Sequence, residues 1–157
     1  AFYDTHKLPV IISNCSNNYG PNQHKEKLIP TVINSLINKS KIPVYGNGLN
    51  IRDWLYVEDH IEAIDMIFHN GTVGQTYCVG GENEMKNIDL IKLIIKEFEY
   101  IKQNKNSSDL ISYVDDRLGH DYRYAIDISK IKNELGWYPK TNINKGLKNT
   151  LNWYLND

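Results

Sequence analysis

The stretch LPVIISNCSNNYGPNQ, residues 8–23, begins as a continuous apolar, β-branched run and passes directly into turn-forming residues. An apolar run without polar alternation reads as a strand covered on both faces, the pattern of a parallel sheet. Working outward, apolar residues recur at three and four at Ile29, Val32, Ile33, Leu36 and Ile37, which predicts a helix over 28–37 with one buried face. Residues 43–45 read as a short strand closed by the Gly46-Asn47-Gly48 turn. Val57, Ile61, Ile64, Ile67 and Phe68 mark a second helix, and residues 76–79 another strand, ended by Gly80-Gly81.

Farther along, Ile88, Ile91, Ile94, Ile95, Phe98 and Ile101 repeat at helical spacing behind Asn87, which is placed to cap the start. The polar stretch QNKNSSD, residues 103–109, reads as a flexible surface loop, and residues 111–114 and 123–128 as short strands. Ser129 is placed to cap a small helix that Gly136 stops, and Ile143, Leu147, Leu151, Tyr154 and Leu155 form the last one. Strand and helix signals thus alternate from end to end, which implies an α/β layer structure. In such a sheet ligands sit beyond the carboxyl ends of the strands, here the polar segments after Ser13, Tyr45 and Val79.

The size, 157 residues, is that of one ordinary domain able to bury its own core. A formal charge of -1 with 24% charged residues fits a globular protein and excludes a strongly basic nucleic-acid binder or a polyanion. No apolar run approaches the roughly 18 residues a bilayer crossing needs, and the opening AFYDTHKLPV has no signal-peptide pattern; the expected location is the cytoplasm. Cys15 and Cys78 sit in apolar, strand-like runs, as buried thiols of a reducing compartment do, and the five histidines show no metal-ligand spacing.

Asn, Ile and Lys supply 54 of the 157 residues, so an asparagine carries little information by itself. Arginine carries more, because Arg52, Arg117 and Arg123 stand against 15 lysines. A planar, two-point grip on phosphate is a task lysine does poorly. For Arg52 the plainer reading is a surface ion pair with Asp53 or Asp59.

Five blocks, SNCSNNYGPNQHKEKLIP (13–30), PVYGNG (43–48), RDWLYVEDH (52–60), GGENEMKNID (81–89) and DRLGHDYRYAID (116–127), occur in that order along the chain. Together they resemble the carboxyl half of the extended short-chain dehydrogenase/reductase family of nucleotide-sugar enzymes. NNYGP and RDWLYVEDH resemble the family as a whole; KLIP and DRLGHDYRYAID resemble its NAD-dependent dehydratase branch, a lyase class acting on dTDP-sugars. The fold this implies is the last strands of a Rossmann-like parallel sheet plus a small α/β substrate-binding lobe. Residues 1–157 would then be the nucleotide-sugar-binding portion of a longer enzyme.

By that resemblance Arg52 and Arg117, carried on loops, would hold the diphosphate. Asn17 would hydrogen-bond near the phosphates, and Asn18 would lie at the nicotinamide end of bound NAD. Lys27 and Leu28 would run along the nucleoside, Pro43 to Tyr45 would wall the base, and Asn87 and His120 would reach the base or ribose. Asp53 would orient its loop, Trp54 would be core, and Arg123 would brace the loop against Asp116 or Asp121.

The family's redox cycle needs a glycine-rich turn for NAD, a Tyr-x-x-x-Lys pair and an acidic pair. The chain has no such glycine turn, and its one Tyr-x-x-x-Lys string, Tyr3 to Lys7, abuts the first strand and reads as chance. No catalytic residue is therefore assigned. The NAD-binding, amino-terminal half is expected outside these residues, the fragment alone is expected to be inactive, and the intact enzyme is expected to be a homodimer. Two alternatives stay open: a UDP-sugar decarboxylase or epimerase of the same family, and a stand-alone, non-catalytic nucleotide-sugar-binding module.

Overall fold

The computed structural model describes residues 1–103 and 105–156. In chain order the elements are α1 (Phe2–His6), β1 (Ile12–Cys15), β2 (Asn17–Tyr19), α2 (Leu28–Ile37), β3 (Ile42–Tyr45), β4 (Ile51–Tyr56) and α3 (Val57–Asn70). There follow β5 (Thr76–Val79), β6 (Glu84–Lys86), α4 (Asn87–Lys102), a 3-10 turn (Ser107–Leu110), β7 (Ile111–Val114), β8 (Arg123–Tyr124), α5 (Ser129–Leu135) and α6 (Ile143–Asn156).

Among the described residues the strands form three small sheets. β1 and β5 pair in parallel from Ile12 opposite Thr76 to Cys15 opposite Val79. β3 and β7 pair in parallel from Ile42 opposite Ile111 to Tyr45 opposite Val114. β4 serves three partners: its second half runs parallel to β2, while its first half runs antiparallel to β6 and parallel to β8.

Side chains alternate across a strand, and β4 uses this to join two cores. Trp54 and Tyr56 enter a cluster built with Ile29, Val32 and Ile33 of α2, Val44 of β3, Ile91 and Ile94 of α4, and Leu147 of α6. Leu55, between them, enters the other cluster, with Tyr77 and Val79 of β5, Ala63 and Ile67 of α3, Ile131 of α5, and Trp137. Burying side chains of this size contributes roughly 1.5–3 kcal/mol each.

The predicted helices over 28–37 and from Ile143 form as read, and Gly136 ends α5 at φ 72° in the left-handed region glycine tolerates. Several expectations are corrected. β1 is not covered on both faces: Ile11 and Cys15 pack against the core, while Ile12, pointing to the other face, is 55% exposed; β5 is its one strand partner among the described residues. α3 turns Ala63, Ile67 and Asp59 inward and leaves Ile61, Ile64 and Phe68 exposed; the small Ala63 seats the helix on the sheet. Ile37 of α2 is exposed as well.

Neither proposed cap forms through its side chain. Asn87 and Ser129 are the first helical residues, and the Ser129 amide instead donates to Asp127 Oδ1 at 2.7 Å. The strand expected over 123–128 stops at Tyr124. Both cysteines are half-buried, on adjacent strands, rather than fully buried. The loop read over 103–109 includes Asn104, which lies outside the described residues, and its second half forms the 3-10 turn.

Candidate ligand-binding site

A cavity of about 570 Å3 opens where β1 passes into β2 and where β3 ends. Its wall takes Asn17 and Asn18 from β2, Lys27 and Leu28 from the start of α2, and Pro43 and Tyr45 from β3. Arg52 of β4, Asn87 of α4, and Arg117 and His120 from the segment between β7 and β8 complete it. Every residue expected from the sequence to touch a ligand thus borders one space. Of the three strand ends named as ligand-facing, those after β1 and β3 contribute to it. The segment after Val79 does not; it anchors Asp53 instead.

Arg52 lies within strand β4, not on a loop as expected from the sequence. Strand alternation therefore puts Arg52 and Trp54 on the cavity side and Asp53 on the other. Asp53 is 1% exposed, and its two oxygens accept the Gly81 and Asn83 amides, each at 2.8 Å. Expected from the sequence to orient a loop of its own, it instead lies within β4 and holds the segment after β5. Gly81 packs so closely that an added Cβ would run into the Trp54 carbonyl. Trp54, expected in the core, is both buried there and part of the cavity wall.

The Arg52 guanidinium donates to the carbonyl oxygens of Ile51 at 2.7 Å and Asp121 at 2.8 Å. Carbonyls hold the fork in place without cancelling its charge. The plain alternative of an ion pair with Asp53 or Asp59 does not occur: Asp53 is engaged as above, and Asp59 accepts the Thr141 amide and hydroxyl at 2.9 and 3.1 Å. Arg117 stacks its guanidinium 5.2 Å from the centre of the Tyr45 ring and contacts His120 Nε2 at 3.0 Å. Neither arginine makes an ion pair among the described residues. Arg123 does brace its surroundings, but against Glu84, with bonds of 2.7 and 2.6 Å, not Asp116 or Asp121.

Buried polar atoms that lack a partner concentrate here. Among the described residues they include Ser16 Oγ, the side-chain oxygens of Asn17, Asn18, Gln23 and Asn87, and Trp54 Nε1, all from residues bordering the cavity. Such atoms are costly to leave unpaired, so a wall rich in them is built for a polar occupant. Two positive forks, amide groups and an aromatic surface within this volume suit a nucleoside diphosphate. A smaller adjoining hollow, about 280 Å3, is lined by Ser16, Asn17, Arg52, Asp121 and Tyr124.

Sequence reasoning missed Ser16, Gln23 and Glu26. Gln23 donates its side-chain amide to the Asn18 main-chain carbonyl at 2.7 Å, and its main-chain carbonyl accepts from the Tyr154 hydroxyl at 2.9 Å. Its place in the turn-rich segment after the first strand was the available signal. Asn18 Nδ2 donates to Cys15 Sγ and the Ser16 carbonyl, both at 3.2 Å, and its buried side-chain oxygen has no partner among the described residues. Tyr3 and Lys7 do not border the cavity; the Tyr3 ring packs on Gly74.

Fold and cavity together define a Rossmann-like α/β protein of the short-chain dehydrogenase/reductase type, with a polar site at its strand ends. The family model described as GDP-mannose 4,6 dehydratase matches residues 1–150, and the chain belongs to that family. It is 50% identical over 162 residues to the dTDP-glucose 4,6-dehydratase of Escherichia coli, covering 100% of this chain and 45% of that protein. The crystal structure of dTDP-glucose 4,6-dehydratase from Bacillus anthracis in complex with NAD superimposes with a TM-score of 0.90 at 46% identity, over 99% of this chain and 48% of that one. The enzyme of the same name from Streptomyces venezuelae, with NAD and TYD bound, gives a TM-score of 0.92 at 36% identity, over 99% and 47%. The chain thus spans about half the length of the curated relatives it matches.

Proposed function

We propose that residues 1–157 supply the nucleotide-sugar-binding portion of an NAD-dependent dTDP-glucose 4,6-dehydratase, which converts dTDP-glucose to dTDP-4-keto-6-deoxyglucose and water. The observation that carries this reading is the meeting of two guanidinium groups that make no ion pair among the described residues, Arg52 and Arg117, with buried side-chain amides whose oxygens lack a partner, around one cavity. Its further support is the likeness to dehydratases of that name.

In this reading Arg52 and Arg117 clasp the diphosphate through their N–H forks, and Asn17 donates close to the phosphates. Lys27 and Leu28 run along the nucleoside, Pro43 and Tyr45 wall the base, and Asn87 and His120 reach the base or ribose. Asn18 meets the carboxamide end of NAD, held mainly by an amino-terminal half outside these residues. NAD, when bound, supplies the acceptance and return of hydride; this chain binds and orients the sugar nucleotide and contributes no catalytic acid or base. On its own it is inactive. The same reading makes the intact protein a cytoplasmic homodimer of deoxysugar biosynthesis, and the family alone supports those points.

The test is calorimetric titration of the intact protein with dTDP, UDP and GDP, followed by turnover of dTDP-glucose. Tightest binding of dTDP with release of the 4-keto product is expected. Tighter binding of UDP moves the protein to the UDP-sugar decarboxylases or epimerases, and binding without turnover makes it a non-catalytic module.

A further inference from the structure

Asp116, His120, Arg117 and Tyr45 form a continuous chain of contacts at the cavity wall. Asp116 Oδ1 lies 2.6 Å from His120 Nδ1, and His120 Nε2 lies 3.0 Å from Arg117 Nη2. The His120 side chain is 5% exposed, and the Arg117 guanidinium rests over the Tyr45 ring.

The proton on that imidazole follows from its neighbours. A guanidinium has donors and no acceptor, so His120 Nε2 must offer its lone pair to Arg117. Nδ1 then carries the hydrogen and donates it to Asp116. We infer that Asp116 is a positioning residue for nucleotide binding: it fixes His120 as the Nδ1–H tautomer, and His120 Nε2 in turn anchors the Arg117 fork over the Tyr45 ring. The inference rests on the proposed role of Arg117 at the diphosphate.

A second feature is matched to this. Asp116 seats over Gly46, where an added Cβ would lie 3.0 Å from its other carboxylate oxygen, and Gly46 has φ 56°. The first glycine of the Gly46-Asn47-Gly48 turn thereby leaves room for the carboxylate. The Asp116 carboxylate also accepts the Arg117 amide at 2.8 Å, which fixes the segment from which both side chains project. Its pKa is held below the ordinary carboxylate value, chiefly by the hydrogen bond from His120 and then by that amide. Asp116 therefore stays an acceptor throughout the neutral range.

The experiment compares the intact wild-type protein with Asp116→Ala and Asp116→Asn, measuring the His120 tautomer by nitrogen-15 NMR and dTDP affinity by calorimetry. In the free wild type His120 is expected as Nδ1–H. Asp116→Ala should give a mixture of tautomers and about tenfold weaker dTDP binding. Asp116→Asn, whose side-chain carbonyl still accepts from Nδ1, should restore the tautomer and keep affinity within about threefold of wild type. An Nε2–H tautomer in the free wild type overturns the inference, as does a folded Asp116→Ala protein with unchanged tautomer. If the wild type binds no dTDP the proposed function fails, whereas the tautomer in the nucleotide-free protein still decides the role of Asp116.

Discussion

Asp53 accepts the Gly81 amide at 2.8 Å one residue after Arg52, on the opposite side of β4 from the cavity. The strand thereby presents a cation to the cavity and turns the adjacent anion to the backbone of the segment after β5. Two N–H groups need two acceptors, and Asn at position 53 would offer only one. Asp53→Asn is expected to destabilise the protein by about 2 to 3 kcal/mol, read from urea denaturation. An unchanged midpoint would show that the carboxylate does not hold this junction.

Arg52→Lys replaces a two-point fork with a point charge, while the carbonyls of Ile51 and Asp121 lose a planar donor. dTDP binding by the intact protein should weaken by about 1 to 3 kcal/mol, with little change in thermal stability. Equal affinity in calorimetry would remove Arg52 from the diphosphate.

Tyr19 is buried with its hydroxyl unpartnered among the described residues, packed edge-on to Trp54 and Tyr56. Burial, with the nearby Tyr56 and Asp59 charges, pushes that phenol well above its usual pKa. Tyr19→Phe keeps the ring and deletes an unsatisfied group, so stability should stay level or rise by up to about 1 kcal/mol. A clear loss in chemical denaturation would reveal a hydrogen bond that the phenol makes.

Glu84 and Arg123 link β6 and β8, the two strands that flank the first half of β4. The hydrogen bond from Arg123 holds the folded-state pKa of Glu84 below its ordinary value of 4.5. A depressed carboxylate stabilises the fold above its unfolded pKa, and that contribution disappears as pH falls through the folded value. The melting difference between wild type and Glu84→Gln should therefore be present at neutral pH, shrink below pH 4.5, and diminish in high salt. The pair is exposed, so the difference should be small; one that grows on acidification contradicts the assignment.

The helices were the legible part of the fold, because three-and-four spacing survives in a chain dominated by isoleucine. α2 and α6 came out at the residues the pattern marked. The three-residue strand Asn17–Tyr19 left no such trace: asparagines are poor strand formers, and pairing with Trp54 and Leu55 overrides that preference. β4 was hidden for another reason. Its buried Asp53 breaks the apolar pattern, and the Gly81 and Asn83 amides that justify a buried carboxylate come from a distant segment. The cavity residues came from motif likeness. Gln23 escaped because its partners, Asn18 and Tyr154, become neighbours only on folding.

The cavity wall draws on β2, α2, β3, β4, α4 and the segment before β8, so it has no counterpart in the unfolded chain. Any occupant is consequently a fastener among those elements, whose helices and strands all pack on the first of the two cores. At a nucleotide concentration of about 100 times Kd, occupancy would add about 2.7 kcal/mol to the unfolding free energy. Cellular supply of the occupant would then govern how long the folded protein survives.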